Sequence, residues 1–286
     1  EEDELVRERV VVLEEIKRRN DMPGARSSDV FREMLFKGHT YARPVIDYSE
    51  VVEKMSRESI LENYKKFYNS KNIFLVICGD FEEKQTLSLC EKYFSDLSPG
   101  VVPAARPSVM PITHVQQNVV QHKSPYSLLH LGWQGIDGLH DDVAALDALS
   151  FIIGQGESSR LFRKLILEEN LLRDIAMGSW TLKYKCSIDI SMRGDPKIEK
   201  NFSRIYQLIA ECFELPITNA ELEKAKKNLL SSALYSQETV DGLANRFGFF
   251  ECGGDYTEDQ KYIEKVRSLN LEMLEAAKAK YIDWNK

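Results

Sequence analysis

Glu8 and Glu15 lie seven positions apart in RERVVVLEEI, residues 7–16, around a run of Val and Leu. Seven residues is almost two helical turns. Glu8, Val11, Val12 and Glu15 therefore occupy i, i+3, i+4 and i+7, the spacing that normally carries an apolar stripe. Two stripe positions are thus acidic. Val10 to Leu13 are apolar through a full turn, with Leu5, Val6 and Ile16 nearby, which predicts a helix covered on most sides. A carboxylate on a covered face needs a cation, a hydrogen-bond network or a raised pKa, and this stretch supplies no such partner. Without one, adjacent acids in a helix read as a solvated face.

Other residues with chemical potential form no pattern. His114, His122, His130 and His140 are spaced by 8, 8 and 10, which is no ligand spacing, and they read as strand and loop histidines. Cys78, Cys90, Cys186, Cys212 and Cys252 are scattered, odd in number and without a C-x-x-C pair, arguing against a disulfide scaffold or a cysteine zinc site. GQGESSRLF, residues 154–162, lacks the lysine of a phosphate-binding G-x-x-x-x-G-K-[ST] loop and follows a helix rather than a strand. It reads as a glycine-permitted helix-to-helix turn with Ser158 or Ser159 as N-cap. His39, in GHTYARP, reads as a loop residue that positions its segment.

The elements that must hold these residues follow from pattern. Length gives a soft prior of two domains for 286 residues. With 43% hydrophobic and 29% charged residues the chain is globular and soluble, and no apolar run approaches the roughly 20 residues of a membrane span. A formal net charge of -7 and no Lys/Arg run longer than three discount nucleic acid as a partner. Pro99, Pro103, Pro107 and Pro111 mark residues 98–115 as an extended connector. Before it, helices are predicted near 2–20, 27–36, 57–68 and 82–95, with a buried strand in IFLVICGD at 73–80. After it come strands in QNVVQHKS and SLLHLGWQG, helices over DDVAALDALSFIIG and SSRLFRKLILEEN, strands in IAMGSWTLKY and CSIDISMRG, and a helical run over 196–281. This order predicts an α+β fold, a mainly antiparallel sheet with helices on one face.

An internal repeat runs through it. DELVRERVVVLEEI at 3–16 resembles AELEKAKKNLLSSAL at 220–234, with Glu4-Leu5 matching Glu221-Leu222 at a shift of 217. VEKM at 52–55 resembles IEKV at 263–266, and LENYKKFYNSKN at 61–72 resembles LEAAKAKYIDWN at 274–285, at shifts of 211 and 213. Two homologous units follow: residues 1–97 as the C-terminal part of the first, and 116–286 as the second, ending before its last strand. With unit two starting near Gln116, unit one starts about a hundred residues upstream of Glu1 at that shift.

ERVVVLEEI, GHTYARPVIDYSEVVEKMSRESILENYKKFYNSKNIFLVICGDF and GQGESSRLFRKLILEENLL, in that order, resemble the insulinase/pitrilysin family of zinc peptidases, which includes mitochondrial processing peptidase subunits and bacterial relatives. The resemblance covers nearly the whole chain. It implies repeated metallohydrolase-like α+β units paired in a clamshell around a peptide or protein substrate. In the family, an H-x-x-E-H helix supplies two zinc-binding histidines and a general base, and a second helix carries E-x-x-x-x-x-x-E. That pattern falls on Glu8 and Glu15, implying Glu15 as the third Zn2+ ligand and Glu8 as a carboxylate beside the site. The matching positions of unit two are Ala225 and Ser232, so only unit one would build a metal site.

Two departures qualify the match. The 286 residues contain no H-x-x-E-H, and the family's substrate-contacting Arg and Tyr fall on Ile166 and Arg173. The expectation is part of a zinc metalloendopeptidase, inactive as this chain alone, working with further units of the same protein or a partner subunit. The alternative is a non-catalytic scaffold or substrate-binding subunit. A bacterial cytoplasm or periplasm is expected over a mitochondrion.

Overall fold

A computed structural model describes residues 2–101 and 108–285. The first part is helical: α1 (Glu2–Asn20), α2 (Pro23–Leu35), a 3-10 turn at Thr40–Ala42, α3 (Ser49–Lys54), α4 (Arg57–Phe67) and α5 (Glu83–Phe94). The second part adds β1 (Ser127–Gln134), α6 (Val143–Gly154), a π-helical segment at Phe162–Glu168, β2 (Asp174–Trp180) and β3 (Ser187–Gly194). A 3-10 turn at Ile198–Asn201 leads into α7 (Phe202–Glu214), α8 (Asn219–Tyr235), α9 (Val240–Gly253), α10 (Glu258–Ser268) and α11 (Leu271–Tyr281). The α+β class predicted from pattern is the observed one.

The sheet is antiparallel, in the order β1-β3-β2. Strict alternation divides β3: Ile188, Ile190 and Met192 enter the core, while Ser187, Asp189, Ser191 and Arg193 take the other face. Trp133 of β1, opposite Ile188, and Met177 of β2, opposite Ile190, extend the core face. Helix α6 is apolar almost all round, as a fully covered helix must be, and packs on this face with α7, α8 and α11. Gly156, at φ 77, makes the turn out of α6 in a conformation that a side chain disfavours. Of the two serines proposed as caps there, Ser159 fills the role: its Oγ accepts from Phe162 N at 3.4 Å.

The second face of the sheet is not open. Helix α2 lies on β1: Phe31 stacks on His130 with ring centroids 5.4 Å apart, and Gln134 Nε2 donates to Leu35 O at 2.6 Å. A Cβ at Gly132 would meet Phe31, so only glycine admits the helix so closely. Leu35, Phe36 and Val109 form a small second core here with Tyr41 and Ile112 at its edge. The helices of the second part thus share one face of the sheet, as expected, and α2 of the first part covers the other with its stripe of Val30, Phe31 and Leu35.

Three further expectations change. IFLVICGD and QNVVQHKS form no strand. Apolar composition favours a pleated surface, but a strand exists only through a ladder, and neither segment has one among the described residues. Helix α1 is covered on one side only: Ile16 is 3% exposed, whereas Val6, Val10 and Val11 are 50%, 58% and 59% exposed. Its neighbours α2 and α3 both lie against the side of Arg9 and Ile16. Residues 98–101 and 108–115 carry no helix or strand, as expected of a connector, while Pro103 and Pro107 lie outside the described residues. Among the described residues, no helix is long and apolar enough to cross a membrane.

Candidate functional site

Helix α1 presents Glu8 and Glu15 on one line. Seven residues turn the chain about 700°, only some 20° short of two turns, with an axial separation of roughly 10 Å. Both side chains are exposed, and neither makes a hydrogen bond or ion pair among the described residues. The neighbouring Glu14 differs, approaching Lys17 Nζ at 3.8 Å. Glu8 and Glu15 are thus uncommitted donors. A carboxylate oxygen is one of the donor types zinc accepts, but four-coordinate sites need imidazole or thiolate as well. Among the described residues, no group of three or more His, Cys, Asp or Glu is placed to hold a metal. The acids fit a share of a zinc site and not the whole of one.

Other residues of α1 tie it down. Arg9 Nη2 donates to Met55 O at 2.7 Å, and its Nε is buried without an acceptor. Near the end of the helix, Arg19 forks onto both oxygens of Asp29 in α2, and Arg32 binds the same carboxylate. Burial alone would raise the Asp29 carboxyl, but the hydrogen bonds from Arg19 and Arg32 outweigh it and hold it below the usual carboxylate range. Arg32 also lies over the Trp180 ring, 5.4 Å from its centroid, connecting the tie to β2.

The histidines do not converge. His39 caps the 3-10 turn, its Nδ1 accepting from Tyr41 N at 3.2 Å, which is the positioning role expected for it. His130 is half-buried under Phe31 with Nδ1 buried and unpartnered, and this burial pushes its pKa down. Ile166 sits in the π-helical segment, and Arg173 pairs with Asp195 at 2.8 Å on the surface.

Helix α8 shows how the same positions behave without acids. Ala225, at the position of Glu8, is fully buried, and Ser232, at that of Glu15, is exposed. The buried side of α8 lies on α6. Its ties repeat those of α1. Lys226, shifted by 217 from Arg9, donates Nζ to Leu269 O at 3.2 Å; Met55 and Leu269 are the residues that end one helix just before the N-cap of the next, Ser56 and Asn270. Arg246 Nη1 donates to Ser236 Oγ at 3.1 Å, and these positions are Asp29 and Arg19 shifted by 217. The tie persists with its charges rearranged.

Two groups in the second part carry electrostatic weight that pattern reading passed over. Arg160, from GQGESSR, donates to both oxygens of Glu221 at 2.7 Å and to the carbonyls of Cys212, Leu215 and Pro216. Burial opposes ionisation of Glu221, but Arg160 and the Thr218 capping box prevail and hold it down to about 2. Asp147, in α6, accepts from Ser179 Oγ at 2.5 Å and from Tyr262 Oη at 2.8 Å. Burial pushes its carboxyl up despite those bonds. A lone acid in an otherwise apolar twelve-residue helix was its signal.

Comparison with known proteins assigns the architecture. Residues 54–229 match the family model described as the peptidase M16 inactive domain. The chain is 27% identical over 278 residues to an uncharacterized zinc protease of Rickettsia felis, covering 95% of this chain and 66% of that protein. It also matches a non-peptidase homolog of Helicobacter pylori, YmxG, at 21% identity, covering 84% of this chain and 56% of that protein. The chain thus spans two thirds or less of these relatives. The crystal structure of a protease from Helicobacter pylori shares the fold at a TM-score of 0.89 and 24% identity, over 98% of this chain and 69% of that one.

Proposed function

This chain belongs to the peptidase M16 family, and from that premise we propose that it contributes one wall of a zinc metalloendopeptidase, with Glu15 as a metal ligand and Glu8 as a carboxylate beside it. The observation that carries the reading is the contrast between α1, with two uncommitted acids on one exposed line, and α8, with Ala225 and Ser232 at those positions. The two histidines and the general base would come from outside these 286 residues, which contain no H-x-x-E-H. Bound zinc would supply Lewis acidity and an activated water for attack on a peptide carbonyl. What this chain does is hold Glu15 in place and leave its oxygens free. Alone it is inactive, because one carboxylate cannot hold zinc tightly.

The residues divide into two homologous units, 1–97 and 116–286, joined by the connector at 98–115. The repeated ties of Arg9 and Lys226, and of positions 19–29 and 236–246, support this division. The substrate would be a peptide or protein enclosed against further units of the same protein or a partner subunit.

Metal content of the full-length protein tests the reading. Mass spectrometry should find about one zinc per chain in the wild type and none in Glu15→Ala. A zinc-free wild type would support a second reading, a non-catalytic scaffold, which the match to a non-peptidase homolog favours.

A further inference from the structure

Arg9 stands next to Glu8 in sequence and points elsewhere. One residue step turns a helix by about 100°, so the line of Glu8 and Glu15 lies roughly a quarter to a third of a turn from Arg9. Arg9 is half-buried, and its guanidinium makes a charge-assisted hydrogen bond of 2.7 Å to Met55 O. This carbonyl belongs to the residue that closes α3 immediately before Ser56, the N-cap of α4. It is therefore held by two helices at once. Three residues from the end of α1's apolar run, Ile16 is buried on the same side as Arg9. Together they fix both the height and the rotation of α1.

Lys226 makes the corresponding bond to Leu269 O, at the corresponding break between α10 and α11. In unit two the positions of that helix matching Glu8 and Glu15 are Ala225 and Ser232. The cation-to-carbonyl tie is thus a feature of how this helix is seated, used in both units, and in unit one its consequence falls on Glu8 and Glu15. A carboxylate extends about 5–6 Å from the helix axis, so a rotation of 20° moves it by roughly 2 Å. Zinc–oxygen bonds are set to within about 0.2 Å, so a helix free to roll cannot keep Glu15 at a ligand position.

We propose that Arg9 is the positioning residue for Glu15: its tie to Met55 O locks the rotation of α1 so that the acid line meets the metal. This rests on the reading of Glu15 as a ligand. Arg9 itself touches neither metal nor substrate. Because Lys226 makes the same tie, a lysine at position 9 should serve, while an uncharged side chain of similar length should not.

The experiment compares full-length wild type, Arg9→Met and Arg9→Lys, with Glu15→Ala beside them, by chelator competition for zinc under conditions where all remain folded. Arg9→Met should weaken zinc binding about 10- to 100-fold, and Arg9→Lys should recover to within about threefold. Hydrogen exchange read in parallel should show faster exchange of the α1 amides in Arg9→Met, with α8 unchanged; Lys226→Met should do the reverse. Undiminished zinc affinity in Arg9→Met, or no recovery with lysine, overturns the proposal. A wild type without zinc, or a Glu15→Ala that keeps it, instead removes the ligand reading. The tie is then judged on exchange alone, and unchanged protection of α1 in Arg9→Met sinks it.

Discussion

Helices α1 and α8 are seated alike, and they end in opposite circumstances. Each is fixed by a long cation reaching a carbonyl at a helix break, and each is bridged near its C-terminal end to the helix that follows. Beyond that they diverge. Where α1 carries Glu8, α8 carries an alanine that disappears into the core beside α6. One position decides whether the face packs or stays available. A small apolar residue lets two helices close to contact, whereas a carboxylate requires water, a cation or a metal across from it. In α8 that position is spent on packing, and in α1 it stays exposed.

The contrast can be broken most forcefully from the packed side. Ala225→Glu should cost about 3–5 kcal/mol in urea unfolding, since it places an uncompensated charge in a closed core. A loss below about 1 kcal/mol would mean that the α6–α8 contact tolerates an acid and that burial does not separate the two helices. Next in size, Arg160→Ala should cost about 3 kcal/mol, because it strands the half-buried Glu221 at the start of α8 and removes the donor to three carbonyls.

A smaller effect depends on pH and tests the seat of α2 on β1. Burial of His130 lowers its pKa below the ordinary 6.5, so the unfolded chain takes up the proton first. Its contribution is fully present above pH 6.5 and is lost as pH falls through that range. His130→Phe, which keeps a ring beneath Phe31, should flatten the fall in unfolding free energy between pH 7 and 5; an unchanged slope would show that other groups produce it. The smallest effect belongs to the acids themselves. Glu8→Ala and Glu15→Ala should each change stability by less than about 0.5 kcal/mol in this chain, because neither holds a partner. A larger loss would make them structural.

The residues that mattered most for α1 were legible in its sequence. Helical arithmetic alone puts Glu8 and Glu15 on one line, and the shift of 217 finds Ala225 and Ser232. The exposure of Val10 and Val11 was not legible, because an apolar run reports what a face can bury and not what lies opposite. IFLVICGD failed as a strand for a related reason: pleated structure is a property of pairs, and no single segment encodes its neighbour. The seat of α2 on β1 was invisible because stripe and strand lie about a hundred residues apart, and nothing local marks them as partners. Asp147 stood out in sequence as an isolated acid in an apolar helix, but its partners Ser179 and Tyr262 lie 32 and 115 residues away.

That seat governs the order in which the molecule can be completed. The bond from Gln134 to Leu35 O spans 99 residues, and the Phe31–His130 stack spans as many. On a ribosome adding about 5–20 residues each second, α2 emerges roughly 5–20 s before the strand that will receive it. Throughout that interval its apolar stripe lacks the strand it packs on. The seat of α2 is therefore begun early and finished late, at a time set by the rate at which β1 is translated.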